Sequence, residues 1–164
     1  MTATYEKIAT TTLGSAAAST TFSSISGAYT DLVLVTQTKI SSAFTQITMR
    51  LNGDTATNYS YTELYGTGTS AASDRGTGND RIYFGNFNNS TTEFTIGIFN
   101  IQNYSNTTTY KTVLSRVNTS SVDVVANVGL WRNTSAINSV TILTTTSTFT
   151  AGSTFTLYGI LKAA

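Results

Sequence analysis

The sequence predicts an all-β fold: one antiparallel β-sandwich over residues 1–164, jelly-roll-like, of about 8–10 strands. Three observations predict it. Threonine supplies 35 of the 164 residues, and its branched Cβ stiffens χ1 and suits a pleated, half-buried strand. Apolar residues recur at period two, and no long segment repeats them at helical spacing. Charged helix formers are scarce, with nine Lys and Arg together and three Glu.

Along the chain the strands fall near residues 4–10, 19–24, 31–38, 44–51, 80–86, 93–102, 109–116, 122–131, 138–145 and 152–160. Leu32-Val33-Leu34-Val35 is apolar at every position, which predicts a central strand. Phe94, Ile96 and Ile98 share one face, with Glu93, Thr95 and Gly97 on the other. Phe99 and Ile101 then fall on the second face, so this stretch either bulges or passes between two covers. Tyr110, Thr112 and Leu114 alternate with Lys111, Val113 and Ser115, and Phe155, Leu157 and Gly159 with Thr154, Thr156 and Tyr158. The run from Val124 to Leu130 ends at Trp131, whose expected place is the core, with Arg132 emerging to solvent or onto the indole. Asn52-Gly53 favours a tight turn with positive φ. Ser26-Gly27, Gly85-Asn86 and Ala151-Gly152 are weaker punctuation.

Several strands are long and one wide connection, at about 65–80, interrupts them; these are the reasons for preferring a jelly roll. The connection is small, polar and glycine-rich, and it reads as a long flexible loop. It carries Asp74, Arg75, Asp80 and Arg81, a large share of the few charges. Either it orders against a partner or it is a mobile surface insertion, which a sandwich tolerates at little cost.

A 17.4 kDa chain is long enough to bury a core without disulfides, and it has no cysteine, so either redox compartment is compatible. The formal charge is +1 and 10% of residues are charged. Phosphate-driven binding of nucleic acid needs many cations on one face, so no nucleic-acid partner is expected. The opening Met1-Thr2-Ala3-Thr4-Tyr5-Glu6-Lys7 lacks the basic head and apolar stretch of a secretory leader. No apolar run reaches the length of a membrane helix, and no membrane partner is expected. Asn-x-Ser/Thr sequons stand at Asn58, Asn88, Asn89, Asn103, Asn106, Asn118 and Asn133. In a chain where 54 of 164 residues are Ser or Thr they are expected as chance matches. With no proline and few charges, the sheet edges lack the usual guards, so covered edges and a homo-oligomer are expected.

The same composition removes most catalysis. There is no histidine to serve as general base or metal ligand and no thiolate to serve as nucleophile. A Ser or Thr nucleophile would lack a histidine base. The acids are Glu6, Asp31, Asp54, Glu63, Asp74, Asp80, Glu93 and Asp123, and a glycosidase would need two of them flanking a cleft. Asp54, Asp74 and Asp80 match no recognised calcium-ligand spacing, and no glycine-rich phosphate motif is present. The expectation is a protein that is not an enzyme and uses no metal or cofactor. Tyr59, Tyr61, Tyr65 and Tyr83 cluster around the wide connection. Tyrosine faces beside Asn and Asp are what sugars stack on, so Tyr59 and Tyr61 form a candidate sugar platform; the competing expectation is that these rings cap the core.

Two passages carry a family likeness: Thr4-Tyr5-Glu6-Lys7-Ile8-Ala9-Thr10-Thr11-Thr12-Leu13-Gly14, and Arg50-Leu51-Asn52-Gly53-Asp54 followed by Asn58-Tyr59-Ser60-Tyr61. Gly129-Leu130-Trp131-Arg132-Asn133-Thr134 and Phe155-Thr156-Leu157-Tyr158-Gly159-Ile160 support them. Together they resemble small virion surface proteins of tailed bacteriophages. The resemblance implies a capsid decoration (cement) protein or a tail-fibre or receptor-binding module, present on the virion surface and made in the host cytoplasm. A short chain without a repetitive shaft fits decoration better. The implied partner is the major capsid protein, with a trimer favoured because threefold closure would also cover the edges. The expected contact residues are Tyr5 and Leu13 in the N-terminal segment and Tyr65, Asp74, Arg75, Asp80 and Arg81 in the wide connection. The alternative is a carbohydrate- or receptor-binding module of a tail fibre or tail spike, with a host glycan on Tyr59 and Tyr61.

Overall fold

A computed structural model of the chain describes residues 4–42, 45–85, 91–119 and 123–161. Twelve strands run through them: β1 (Tyr5–Thr12), β2 (Ser19–Phe22), β3 (Asp31–Thr38), β4 (Ile47–Leu51), β5 (Tyr59–Gly66), β6 (Ala71–Asn79), β7 (Ile82–Phe84), β8 (Thr95–Ile101), β9 (Lys111–Thr119), β10 (Asp123–Trp131), β11 (Val140–Thr144) and β12 (Thr154–Ile160). Every pairing between them is antiparallel. They form an all-β sandwich. One sheet has eight strands in the order β1-β12-β3-β8-β9-β10-β5-β6, and the other four in the order β2-β11-β4-β7.

Each of the ten expected ranges overlaps one strand, with β1 and β9 running two and three residues past the expected ends. The outer limits at residues 44, 86 and 122, with Asn86, Asn88 and Asn89, lie outside the described residues. β8 pairs with β3 and β9 without a bulge, so its two apolar faces belong to a strand flanked on both sides.

The wide connection corrects the expectation of a flexible loop. Residues 71–79 are β6, paired with β5 from Tyr59–Asn79 to Gly66–Ala71. A strand needs main-chain partners, and small side chains do not remove them. The tight turn closes with the Thr67 N–H donating to the Ser70 carbonyl at 2.9 Å. Gly76 is required by packing: a Cβ there would sit 2.5 Å from the Tyr61 ring.

The core lies between the sheets. Leu32 and Leu34 of β3, Phe99 and Ile101 of β8, and Phe155 and Leu157 of β12 face Met49 and Leu51 of β4, Ile142 of β11 and Phe84 of β7. The Phe84 and Phe99 rings meet edge to face at 4.7 Å, one from each sheet. β7 also packs against β10 and β5, so the far half of the large sheet is tied to the small one.

A hydrogen-bonded lock sets that tie. Asn52 and Gly53 both take positive φ, 54° and 65°, as the Asn-Gly turn predicts. The Asn52 side chain donates to the Ala136 carbonyl and accepts from the Asn138 and Ser139 N–H groups. Asp54 follows. One carboxylate oxygen accepts from Trp131 Nε1 at 2.7 Å and Asn58 Nδ2 at 2.8 Å, and the other from the Ala56 N–H at 2.8 Å. Burial alone would raise the Asp54 pKa; the bonds from Asn58, Trp131 and Ala56 outweigh it and hold the carboxyl below its usual range. Trp131 is in the core as expected, stacked on Tyr59 at 6.3 Å. The Tyr59 hydroxyl reaches the Leu51 and Asp54 carbonyls, each at 3.2 Å.

Replacing Asp54 by Ala strands the buried indole N–H of Trp131. The expected cost is about 1–3 kcal/mol, read as a lower urea midpoint by tryptophan fluorescence. An unchanged midpoint contradicts the lock.

Candidate functional site

Strands alternate their side chains between two faces. On the large sheet one face meets the small sheet, and the other has no cover among the described residues. Register places Val33 and Val35 of β3, Ile96 and Ile98 of β8, Leu114 of β9, Val124, Ala126 and Val128 of β10, and Leu64 of β5 together on that open face. One cross-strand row runs Thr156, Val35, Ile98, Arg116, Ala126, Leu64 and Ser73. Val124 and Leu64 are 67% and 64% exposed, and Ile96, Leu114 and Val128 about half.

The face is concave in two adjoining stretches. A groove of about 790 Å³ runs between Leu64, Ile96 and Val124. A second, of about 500 Å³, runs between Tyr5, Val33 and Leu114. Ile98, Arg116 and Ala126 line both, so the two form one trough with Arg116 at its waist. The Arg116 side chain is exposed and makes no ion pair among the described residues. Asn118 is occupied, accepting from the Ile96 N–H at 2.8 Å.

The expected contact residues do not assemble into one site. Tyr5 lies at one end of the trough, edge to face on Tyr158 at 6.3 Å. Leu13 packs against the core instead, its N–H donating to the Ser153 carbonyl and its carbonyl accepting from the Gly152 N–H. The N-terminal segment is strand β1, as its alternation predicts. Tyr65 sits near the end of β5, half-buried, beside the larger groove. Asp74 and Arg75 stand on opposite faces of edge strand β6; Asp74 accepts from the Tyr61 hydroxyl at 3.0 Å. Asp80 is held internally. Arg81 grips it with two bonds, of 2.9 and 2.6 Å, and Arg50 takes the same carboxylate. The Arg81 and Arg50 guanidiniums hold its pKa at about 2. Asp80 and Arg81 therefore offer a partner no uncommitted charge.

The sugar platform needs correction. Tyr59 is fully buried, its pKa pushed up to about 12 by desolvation, and it presents no face to a ligand. Tyr61 is half-buried, 5.8 Å from the Tyr83 ring. Arg132 emerges to solvent and bonds to Ser60 and Thr77 rather than to the indole.

Sequence reasoning missed a polar row in which buried Ser115, Asn127 and Glu63 and exposed Asp74 stand opposite one another across β9, β10, β5 and β6. Glu63 is 3% exposed and accepts from the Gly85 N–H at 3.1 Å and Asn127 Nδ2 at 3.3 Å. Desolvation raises its pKa, partly offset by those two bonds, and the nearby Asp74 charge adds to the rise. The signal was a lone Glu among alternating tyrosines. No group of three or more acids that could hold a metal ion occurs among the described residues.

No protein-family model and no curated protein matches the chain. Among solved structures it is similar to a crystal structure of exo-inulinase from Aspergillus awamori, at 12% identity and a TM-score of 0.49. The match covers 95% of this chain and 29% of the enzyme. Likeness at that level carries nothing about function to this chain.

Because the folded pKa of Glu63 lies above its unfolded value, the native state holds the proton longer. Its contribution is therefore lost as pH rises from the usual carboxylate range through the raised value. Glu63→Gln keeps an acceptor and removes the ionisation. Urea unfolding across that window is expected to show the wild type losing stability relative to the variant as pH rises. Parallel profiles contradict the assignment.

Proposed function

We propose that this chain is a phage virion structural protein, a capsid decoration (cement) protein that seats the open face of its large sheet on the assembled major capsid protein. One observation carries the reading. Of the eight large hydrophobics exposed among the described residues, six (Tyr5, Leu64, Ile96, Leu114, Val124 and Val128) share that face. A contiguous apolar surface of this kind marks a site of association. Covering one such side chain fully contributes about 1.5–3 kcal/mol, and a shell of repeated subunits would cover several at once.

Strand order supports the fold half of the proposal. β1-β12-β3-β8 over β2-β11-β4-β7 is the order of an eight-stranded jelly roll, with β5–β6 and β9–β10 as inserted hairpins. Jelly rolls serve in viral capsids and lectins alike, so the site and not the fold argues the function. The role is non-catalytic. Binding the assembled lattice and not free subunits stabilises the lattice by mass action. A trimer, with β1 and β6 as the large sheet's edges to cover, completes the proposal.

The carbohydrate-binding tail module has its own observation, the partly exposed Tyr61–Tyr83 pair beside Asp74. The trough itself fits it poorly, since sugar sites converge several polar groups on the ligand and this one offers chiefly Arg116, Asn118 and Asn100.

Quantitative mass spectrometry of purified particles separates the readings. A ratio to the major capsid protein of one, or a simple fraction of it, is the expected result. A handful of copies per particle, together with lost host adsorption in Tyr61→Ala, transfers the chain to the tail. Absence from particles rejects both.

A further inference from the structure

Resting on that docking reading, we infer that the trough takes an apolar segment of a partner protein that carries one carboxylate, seated on Arg116. Geometry comes first. Arg116 is the one charged residue lining both grooves, with Ile98 and Ala126 beside it in its row and Leu114 two residues away on the same face. An apolar partner that covered this face would bury a guanidinium with five N–H donors and no acceptor. Leaving a buried charge unpaired is strongly unfavourable, so the partner must bring an acceptor to the waist.

Among the described residues the chain supplies no free carboxylate there. Among the described residues Glu63 and Asp123 are buried, and Asp54 and Asp80 are bonded internally. Asp74 bonds Tyr61 on the covered side, and Asp31 caps the Asn103 N–H at a strand end. Glu6 pairs with inward-facing Gly159, beside Tyr29, and Glu93 precedes β8. By register the open face carries three positive charges, Lys7, Arg75 and Arg116, and one negative, Asp31, which lies at the end of β3 and is already bonded to the Asn103 N–H. A carboxylate matches this field, and it matches the planar fork of the guanidinium, which takes two parallel bonds. Apolar side chains on either side of the carboxylate would fill the two grooves.

The test pans a displayed library of random peptides on the purified full-length chain and on two variants, Arg116→Glu and Val124→Lys. Both positions are exposed and unpaired, so unchanged circular dichroism and melting verify the fold. Wild type is expected to enrich apolar peptides with a central Asp or Glu. Arg116→Glu should bind those peptides about tenfold more weakly or worse and enrich Lys or Arg at the same place. Val124→Lys should lose both sets. Apolar peptides that depend on Val124 but ignore the charge at 116 overturn the carboxylate inference and leave the docking face standing. Binding indifferent to Val124→Lys, or no enrichment over an unrelated β-protein, overturns the docking face and the inference with it.

Discussion

The bond from Trp131 Nε1 to Asp54 Oδ2, 2.7 Å long, fixes how the far half of the large sheet meets the small one. Asp54 follows the β4–β5 turn, and Trp131 ends β10. The carboxylate therefore joins the end of a small-sheet strand, β4, to β10 of the large sheet. Tyr59 stacks on the same indole and reaches back to Leu51, which binds the start of β5 to the end of β4. The strands β9, β10, β5 and β6 extend the large sheet beyond the others, with β7 as their support from the small sheet. Leu64, Val124, Ala126 and Val128 all lie on that extension. Half of the trough is thus placed by one carboxylate and one indole.

The trough is a consequence of strands that are apolar on both faces. β3 sends Leu32 and Leu34 inward and Val33 and Val35 outward, and β8 sends Phe99 and Ile101 inward and Ile96 and Ile98 outward. Such strands are ordinary when both faces of a sheet are covered. Here one face is covered by the chain itself. Solubility of the other rests on Arg116, Asn118, Asn100 and threonines at the margins, a thin polar border around a wide apolar floor. The energetic cost of keeping that floor wet is recovered when something covers it.

Much of the fold was legible. Period-two alternation located ten strands, because side-chain burial imprints itself on alternating residues. Asn52-Gly53 marked its turn because few other residues accept positive φ at two successive positions. β5 and β6 were not legible: β5 buries a glutamate and a tyrosine, with two more tyrosines half-buried, where alternation looks for aliphatic residues, and β6 is held by main-chain bonds that small side chains do not advertise. Tyr59 and Tyr61 look alike in sequence, yet one is sealed beneath the lock and the other is half-buried at the sheet edge. Asp80 and Arg81 looked available for a partner until Arg50, 30 residues away, was found on the same carboxylate. The open apolar face did have a signal. Ile96, Ile98, Leu114, Val124 and Val128 all occupy the phase opposite to the core residues of their strands, and pairing those strands brings them together. Register was the missing piece, and alternation within a single strand does not supply it.

The central claim is that the open face of the large sheet is buried on the particle. Hydroxyl-radical footprinting of the free protein and of intact particles tests it most directly. Leu64, Leu114, Val124 and Val128 should be oxidised in the free protein and protected on the particle, while Tyr83, on β7 of the small sheet, is oxidised equally in both. Equal oxidation of all five residues in both states, or protection confined to Tyr83, would contradict the claim.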